Sequence, residues 1–138
     1  MRKIKSILLV DDDYITNYVN KRLIVKSELC EDVFIANNGA EALNFLKKNS
    51  EWPDLIFLDI NMPVMDGFEF LQKYRALERS EKEKTIIVML TTSTNSNDMD
   101  KVINLGNNDF LNKPLTKEQL CKVHNKYFGE MTELTQAS

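Results

Sequence analysis

Ile7-Leu8-Leu9-Val10-Asp11-Asp12-Asp13 joins four consecutive apolar residues to three consecutive carboxylates. An apolar run without polar alternation is what a strand covered on both faces requires, and such strands belong to parallel sheets sandwiched between helices. The abrupt change to Asp marks the carboxyl end of the strand, where open parallel sheets place their ligands. The pattern recurs downstream: Leu55-Ile56-Phe57-Leu58 ends in Asp59, and Ile86-Ile87-Val88-Met89-Leu90 ends in Thr91 and Thr92.

Working outward, the spacing predicts five strands, at 6–10, 32–36, 54–58, 86–90 and 109–111. Between and after them lie helical stripes: Ile15, Val19 and Leu23; Leu43 and Leu46; Phe70, Leu71, Tyr74 and Leu77; Met99, Val102 and Ile103; Leu120, Val123 and Tyr127. Asp13, Asp66 and the pair Thr116/Gln119 supply helix-start signals, the last as a capping box. Strands alternating with helices define a doubly wound α/β sheet with helices on both faces. The charge-dense stretch 78–84 reads as a solvated helix end and loop, Trp52 as a cover over a sheet edge or helix end, and His124 as an exposed helix residue. Residues 1–128 form one domain in this reading, and 129–138 a frayed tail.

With 138 residues, 43% of them hydrophobic, the composition is that of a single globular domain. A net charge of −3 argues against direct nucleic-acid binding, which needs clustered Lys and Arg. The apolar runs are too short to cross a bilayer and no signal-type segment opens the chain, so a cytoplasmic location without membrane insertion is expected. Cys30 and Cys121 lack metal-type spacing and read as reduced thiols.

The residues just after the strands carry the chemistry. One Asp of the first cluster suffices to cap a helix; three in a row would repel unless a cation neutralised them, and carboxylates suit Mg²⁺. Asp59 alone could be a turn residue beside Met62-Pro63 and Asp66-Gly67. In the company of a metal it is a competent nucleophile toward phosphorus, with Lys113 available to neutralise the transferring oxygens and Thr91 to donate a hydroxyl.

The ordered set Asp11-Asp12-Asp13, Asp59 with Asn61-Met62-Pro63, Asp66-Gly67, Thr91-Thr92, Gly106 and Lys113-Pro114 resembles the receiver domain of two-component response regulators, with Thr91 and Lys113 standing 22 positions apart. The resemblance implies a flavodoxin-like, CheY-like (β/α)5 fold with strand order 2-1-3-4-5. It implies phosphoryl acceptance on Asp59 from a sensor histidine kinase or a histidine phosphotransfer protein. Asp12, Asp11, Asp59 and Asn61 would hold Mg²⁺ or Mn²⁺, and Lys113, its bond to Pro114 cis, would pair with the phosphoryl group. Thr91 and Phe110 would form the switch, reshaping the face of helix four, strand five and helix five toward an unidentified protein target. Self-catalysed phosphorylation and dephosphorylation are implied rather than metabolic catalysis, in a single-domain regulator that is a monomer or a phosphorylation-dependent homodimer.

Two departures stand out. Thr92 is branched where the family usually carries a small residue; together with Ser93 and Asn61 it is a candidate for tuning access and rate. Phe110 lacks the phenol of the commoner Tyr, which leaves its switching to packing. Two other readings compete. A haloacid-dehalogenase-like phosphohydrolase would use Asp11 as nucleophile with Asp13 two positions on, but it expects Thr or Val where Ile15 stands. A phosphorylation-independent pseudo-receiver would not need the full acidic set.

Overall fold

A computed structural model describes residues 3–92, 96–106 and 109–129. The strands are β1 (Ile4–Val10), β2 (Cys30–Ala36), β3 (Leu55–Leu58), β4 (Ile86–Thr91) and β5 (Phe110–Asn112). The helices are α1 (Tyr14–Ser27), α2 (Gly39–Lys48), α3 (Gly67–Ala76), α4 (Ser96–Asn104) and α5 (Lys117–His124). All strand pairings are parallel, in the order β2-β1-β3-β4-β5. This is the doubly wound, flavodoxin-like α/β arrangement expected from the apolar runs, because strands buried on both faces leave no polar positions to alternate.

Successive strand residues point to opposite faces, which splits the core in two. Leu8, Val10, Ile56, Leu58 and Met89 pack with Leu43 and Leu46 of α2, Phe70 and Leu71 of α3, and Val102 of α4. Ile7, Leu9, Phe57, Val88 and Leu90 pack with Ile24 of α1 and Leu120 and Val123 of α5. Asp13 caps α1, and Asp66/Glu69 and Thr116/Gln119 form capping boxes on α3 and α5. Asn38, paired with Glu41, caps α2, a signal the sequence reading did not use.

Three expectations need correction. The α1 stripe of Ile15 and Val19 faces solvent, at 69% and 54% exposure, and Leu23 is only half-buried. The face against the sheet is Asn17, Asn20 and Ile24. Both sets have helical spacing; Asp13 sets the phase of the first turn, and the Asn17 amide is drawn inward by a hydrogen bond to the Asp11 carbonyl at 2.8 Å. His124 is not exposed but 1% accessible, with its ring beside Phe128. The chain does not fray at 129, since a π-helical turn at Asn125–Gly129 buries Phe128 and Gly129; residues 130–138 lie outside the described ones.

The 78–84 stretch includes a 3₁₀ turn at Ser80–Glu83 and is tied to the domain. Arg79 lies 5.0 Å from the Trp52 ring centre and pairs with Glu81, and the Trp52 indole N–H donates to the Leu46 carbonyl near the end of α2. Both cysteines are free thiols, and burial pushes the Cys30 thiol up to about 11. No helix among the described residues is long and apolar enough to cross a membrane.

Candidate functional site

Strand register builds the site. Val10 pairs with Leu58, so the residues that follow, Asp11 and Asp59, emerge side by side, and the Asp59 N–H donates to the Val10 carbonyl at 3.0 Å. Leu58 pairs with Met89, which brings the end of β4 and Thr91 to the same edge. Thr91 pairs with Asn112, and the Lys113 N–H donates to the Thr91 carbonyl at 3.1 Å. From there the Lys113 ammonium reaches 2.5 Å from Asp11 Oδ2 and 3.2 Å from Asp59 Oδ2. The Lys113–Pro114 bond is cis.

The three leading carboxylates divide their work. Asp13 accepts from the Ile15 N–H and the Thr16 hydroxyl, as a cap does. Asp11 is buried; its Oδ1 accepts the Asp13 N–H at 2.9 Å, which leaves Oδ2 for Lys113. Asp12 stays exposed at the rim. Asp59, 7% accessible, accepts the Ile60 N–H at 2.8 Å. Carboxylate oxygens of Asp11, Asp12 and Asp59 all lie within 4.8 Å of one another. Three acidic groups against one ammonium leave excess negative charge, and an all-oxygen donor set fits a hard divalent cation such as Mg²⁺ or Mn²⁺.

The electrostatics follow from burial and proximity. Desolvation pushes the Asp59 carboxyl above its ordinary range; Lys113 pulls it back and Asp11 adds repulsion, with the net direction upward. Burial alone would lower the Lys113 ammonium, but hydrogen bonding and attraction from Asp11 and Asp59 outweigh it, and the net shift is upward. Lys113 therefore stays charged and holds the two buried carboxylates together.

The loop after β3 frames Asp59. The Gly67 N–H donates to the Ile60 carbonyl at 2.8 Å, and a Cβ at Gly67 would lie 2.5 Å from the Asp59 carbonyl oxygen. Only glycine permits that approach, so the role of Gly67 goes beyond turn chemistry. Val64 holds φ at 68°, with Met65 N–H donating back to the Pro63 carbonyl at 2.7 Å. A β-branched residue in left-handed space is a rare, strained conformation.

Thr91 is buried at the mouth of β4, whereas Thr92 and Asn61 are exposed. Phe110 is half-buried and packs against the core on the α2–α4 side. Ser93 lies outside the described residues. Asn17 and Asn20, buried on α1 beside the acid pair, were missed because amides on a helix carry no apolar signal.

This fold and acidic site define a known class. Residues 7–125 match the model of the response regulator receiver domain, and the chain belongs to that family. A two-component response regulator from Cytophaga hutchinsonii superposes with a TM-score of 0.82 at 32% identity, covering 91% of this chain and 98% of that one. The co-crystal of the Saccharomyces cerevisiae histidine phosphotransfer signaling protein Ypd1 with the receiver domain of Ssk1 contributes a match at TM-score 0.76 and 29% identity, covering 96% and 93%. Hybrid signal transduction histidine kinase B of Dictyostelium discoideum is 36% identical over 92% of this chain, which spans 7% of that protein. The chain likewise spans 57% of the probable C4-dicarboxylate response regulator DctR of Priestia megaterium, at 28% identity. Membership of the receiver family leaves the dehalogenase-like reading without support.

Proposed function

We propose that this receiver domain accepts a phosphoryl group on Asp59 from a phosphohistidine and signals through a protein partner. The observation that carries the reading is the convergence of Asp11, Asp12, Asp59 and Lys113 at one edge of the sheet. An Asp59 carboxylate oxygen attacks phosphorus, the P–N bond of the donor breaks, and the imidazole leaves with the electron pair. Lys113 is held by Asp11 within reach of Asp59, where its charge offsets that of the incoming phosphoryl oxygens. Asp11, Asp12, Asp59 and the backbone of Asn61 would hold Mg²⁺ or Mn²⁺, which neutralises phosphoryl charge when bound. Water attack on the resulting acyl phosphate returns free Asp59, and Thr92 and Asn61 set access to it.

Thr91 and Phe110 carry the switch. The Thr91 hydroxyl turns to the phosphoryl oxygen, and Phe110 follows into space that Thr91 vacates, a population shift in the face of α4, β5 and α5. The downstream partner binds that face, or a second copy does on phosphorylation. The phosphohistidine donor docks on α1, where Tyr14, Ile15, Tyr18 and Val19 are all more than half exposed beside the acidic edge. Single exposed apolar residues are ordinary; four on one helix next to the site mark an interaction face.

The test is intact mass after incubation with Mg²⁺ and acetyl phosphate, with Asp59→Asn as control. An adduct absent from the variant is expected, and no adduct on the unmodified protein defeats the reading in favour of a phosphorylation-independent module. Ile15→Ser should slow transfer from a phosphohistidine protein while leaving uptake from acetyl phosphate unchanged. Sedimentation with and without beryllofluoride separates monomer from phosphorylation-driven dimer.

A further inference from the structure

Between α1 and the sheet lies a small void that the phosphoryl chemistry does not use. Asp11 and Asp59 contribute to its lining from one side and Asn17 and Asn20 from α1, and the rest is apolar. It offers about 10 Å³ to the centre of a water-sized molecule, which is room for one water.

Asn17 is 2% accessible, and its Nδ2 donates to the Asp11 carbonyl at 2.8 Å. A carbonyl only accepts, so this bond fixes which end of the amide is which. The Asn17 Oδ1 is then a fully buried acceptor with no hydrogen-bonding partner among the described residues. Buried polar atoms are as a rule paired, by protein or by water. Asn20, one turn further along α1, is 6% accessible and lines the same void. An apolar hole of this size stays dry, whereas one lined by two asparagines and two aspartates offers a water polar partners. Helical packing alone would favour an apolar residue at both positions, as Ile24 shows on the same face.

We infer that this void binds one structural water, held by Asn17 and Asn20, which bridges α1 to a carboxylate of the Asp11/Asp59 pair. The water donates one hydrogen to Asn17 Oδ1 and the other to a carboxylate oxygen, and it accepts from the Asn20 amide. Asn17 thereby grips the acidic cluster twice, directly at the Asp11 carbonyl and through the water at a carboxylate. It is a positioning residue for the acidic cluster, and outer groups of this kind commonly change metal affinity by tenfold or more. Its effect on a cation rests on the proposed receiver chemistry; the water site itself does not.

The experiment has two arms on the full chain. Water-to-protein cross-relaxation by NMR, without metal, should show a long-lived water beside the Asn17 and Asn20 side-chain amides, and Asn17→Leu should abolish it. Calorimetric Mg²⁺ titration should then show affinity reduced on the order of tenfold in Asn17→Leu, with far-UV circular dichroism unchanged. If that variant does not fold, Asn17→Ala takes its place. No long-lived water at Asn17 in the unmodified protein overturns the inference. A water present but Mg²⁺ affinity unchanged in the variant overturns the positioning role, leaving only packing. If the unmodified protein binds no Mg²⁺, the receiver chemistry falls, and the water site is decided by the first arm.

Discussion

Lys113 Nζ lies 2.5 Å from Asp11 Oδ2, across the ends of four strands that the chain visits separately. The same ammonium is 3.2 Å from Asp59 Oδ2, so a single positive charge joins two buried carboxylates that would otherwise repel. Each of the site's responses to mutation, pH and cation follows from that shared pairing.

Replacing Lys113 by Met leaves Asp11 and Asp59 buried and uncompensated. A loss of about 3 kcal/mol is expected at neutral pH. Urea denaturation should show part of it recovered by added Mg²⁺, because binding to the native state alone adds stability. A variant as stable as the unmodified protein in the absence of Mg²⁺ would show that the ion pairs contribute nothing.

Asp59→Asn should stabilise the protein, by about 0.5–2 kcal/mol at neutral pH, as functional residues traded for neutral ones commonly do. Burial raises the Asp59 carboxyl above its unfolded value of about 3.9, so between those values the native state binds more protons than the unfolded state. The contribution of Asp59 to stability therefore falls as pH rises through that window. Denaturation midpoints of the two proteins should converge in acid and separate toward neutral pH; the opposite trend would refute the assignment.

Gly67→Ala places a methyl group 2.5 Å from the Asp59 carbonyl oxygen and 2.9 Å from Ile60 Cα. Backbone must move, at a cost of about 1–3 kcal/mol. Phosphoryl uptake from acetyl phosphate should fall as Asp59 is displaced. Unchanged uptake and stability would mean that the loop relaxes freely.

Val64→Gly relieves a β-branched residue at φ 68°. The left-handed penalty of about 1–2 kcal/mol is partly offset by the extra freedom of glycine in the unfolded chain, which leaves a gain of about 1 kcal/mol at most. Equilibrium unfolding in urea measures it, and a loss of stability would show that the valine side chain makes compensating contacts.

Trp52→Phe removes the indole N–H that donates to the Leu46 carbonyl at 2.8 Å, and weakens the contact with Arg79. The stranded carbonyl makes a loss of about 1–3 kcal/mol the expected result of thermal or urea unfolding. A neutral substitution would indicate that the Leu46 carbonyl finds water.

The sequence by itself determined the sheet and the edge that carries the acidic residues. Short, β-rich apolar runs such as Ile7–Val10 and Leu55–Leu58, bounded by polar residues, read as covered strands, and the Asp that ends each lies where the strand stops. Caps at Asp13, Asp66 and Thr116 were equally legible, since their hydrogen bonds span only two or three residues. Tertiary structure decided what depends on residues far apart in the chain. The face of α1 that turns inward is amide rather than apolar, because Asn17 finds the Asp11 carbonyl; His124 is buried because the terminal turn folds over it; Lys113 chooses Asp11 and Asp59 because strand register delivers them. Hydrophobic periodicity records which residues avoid water, but a buried polar group is placed by its partner, and that partner exists only once the chain has folded.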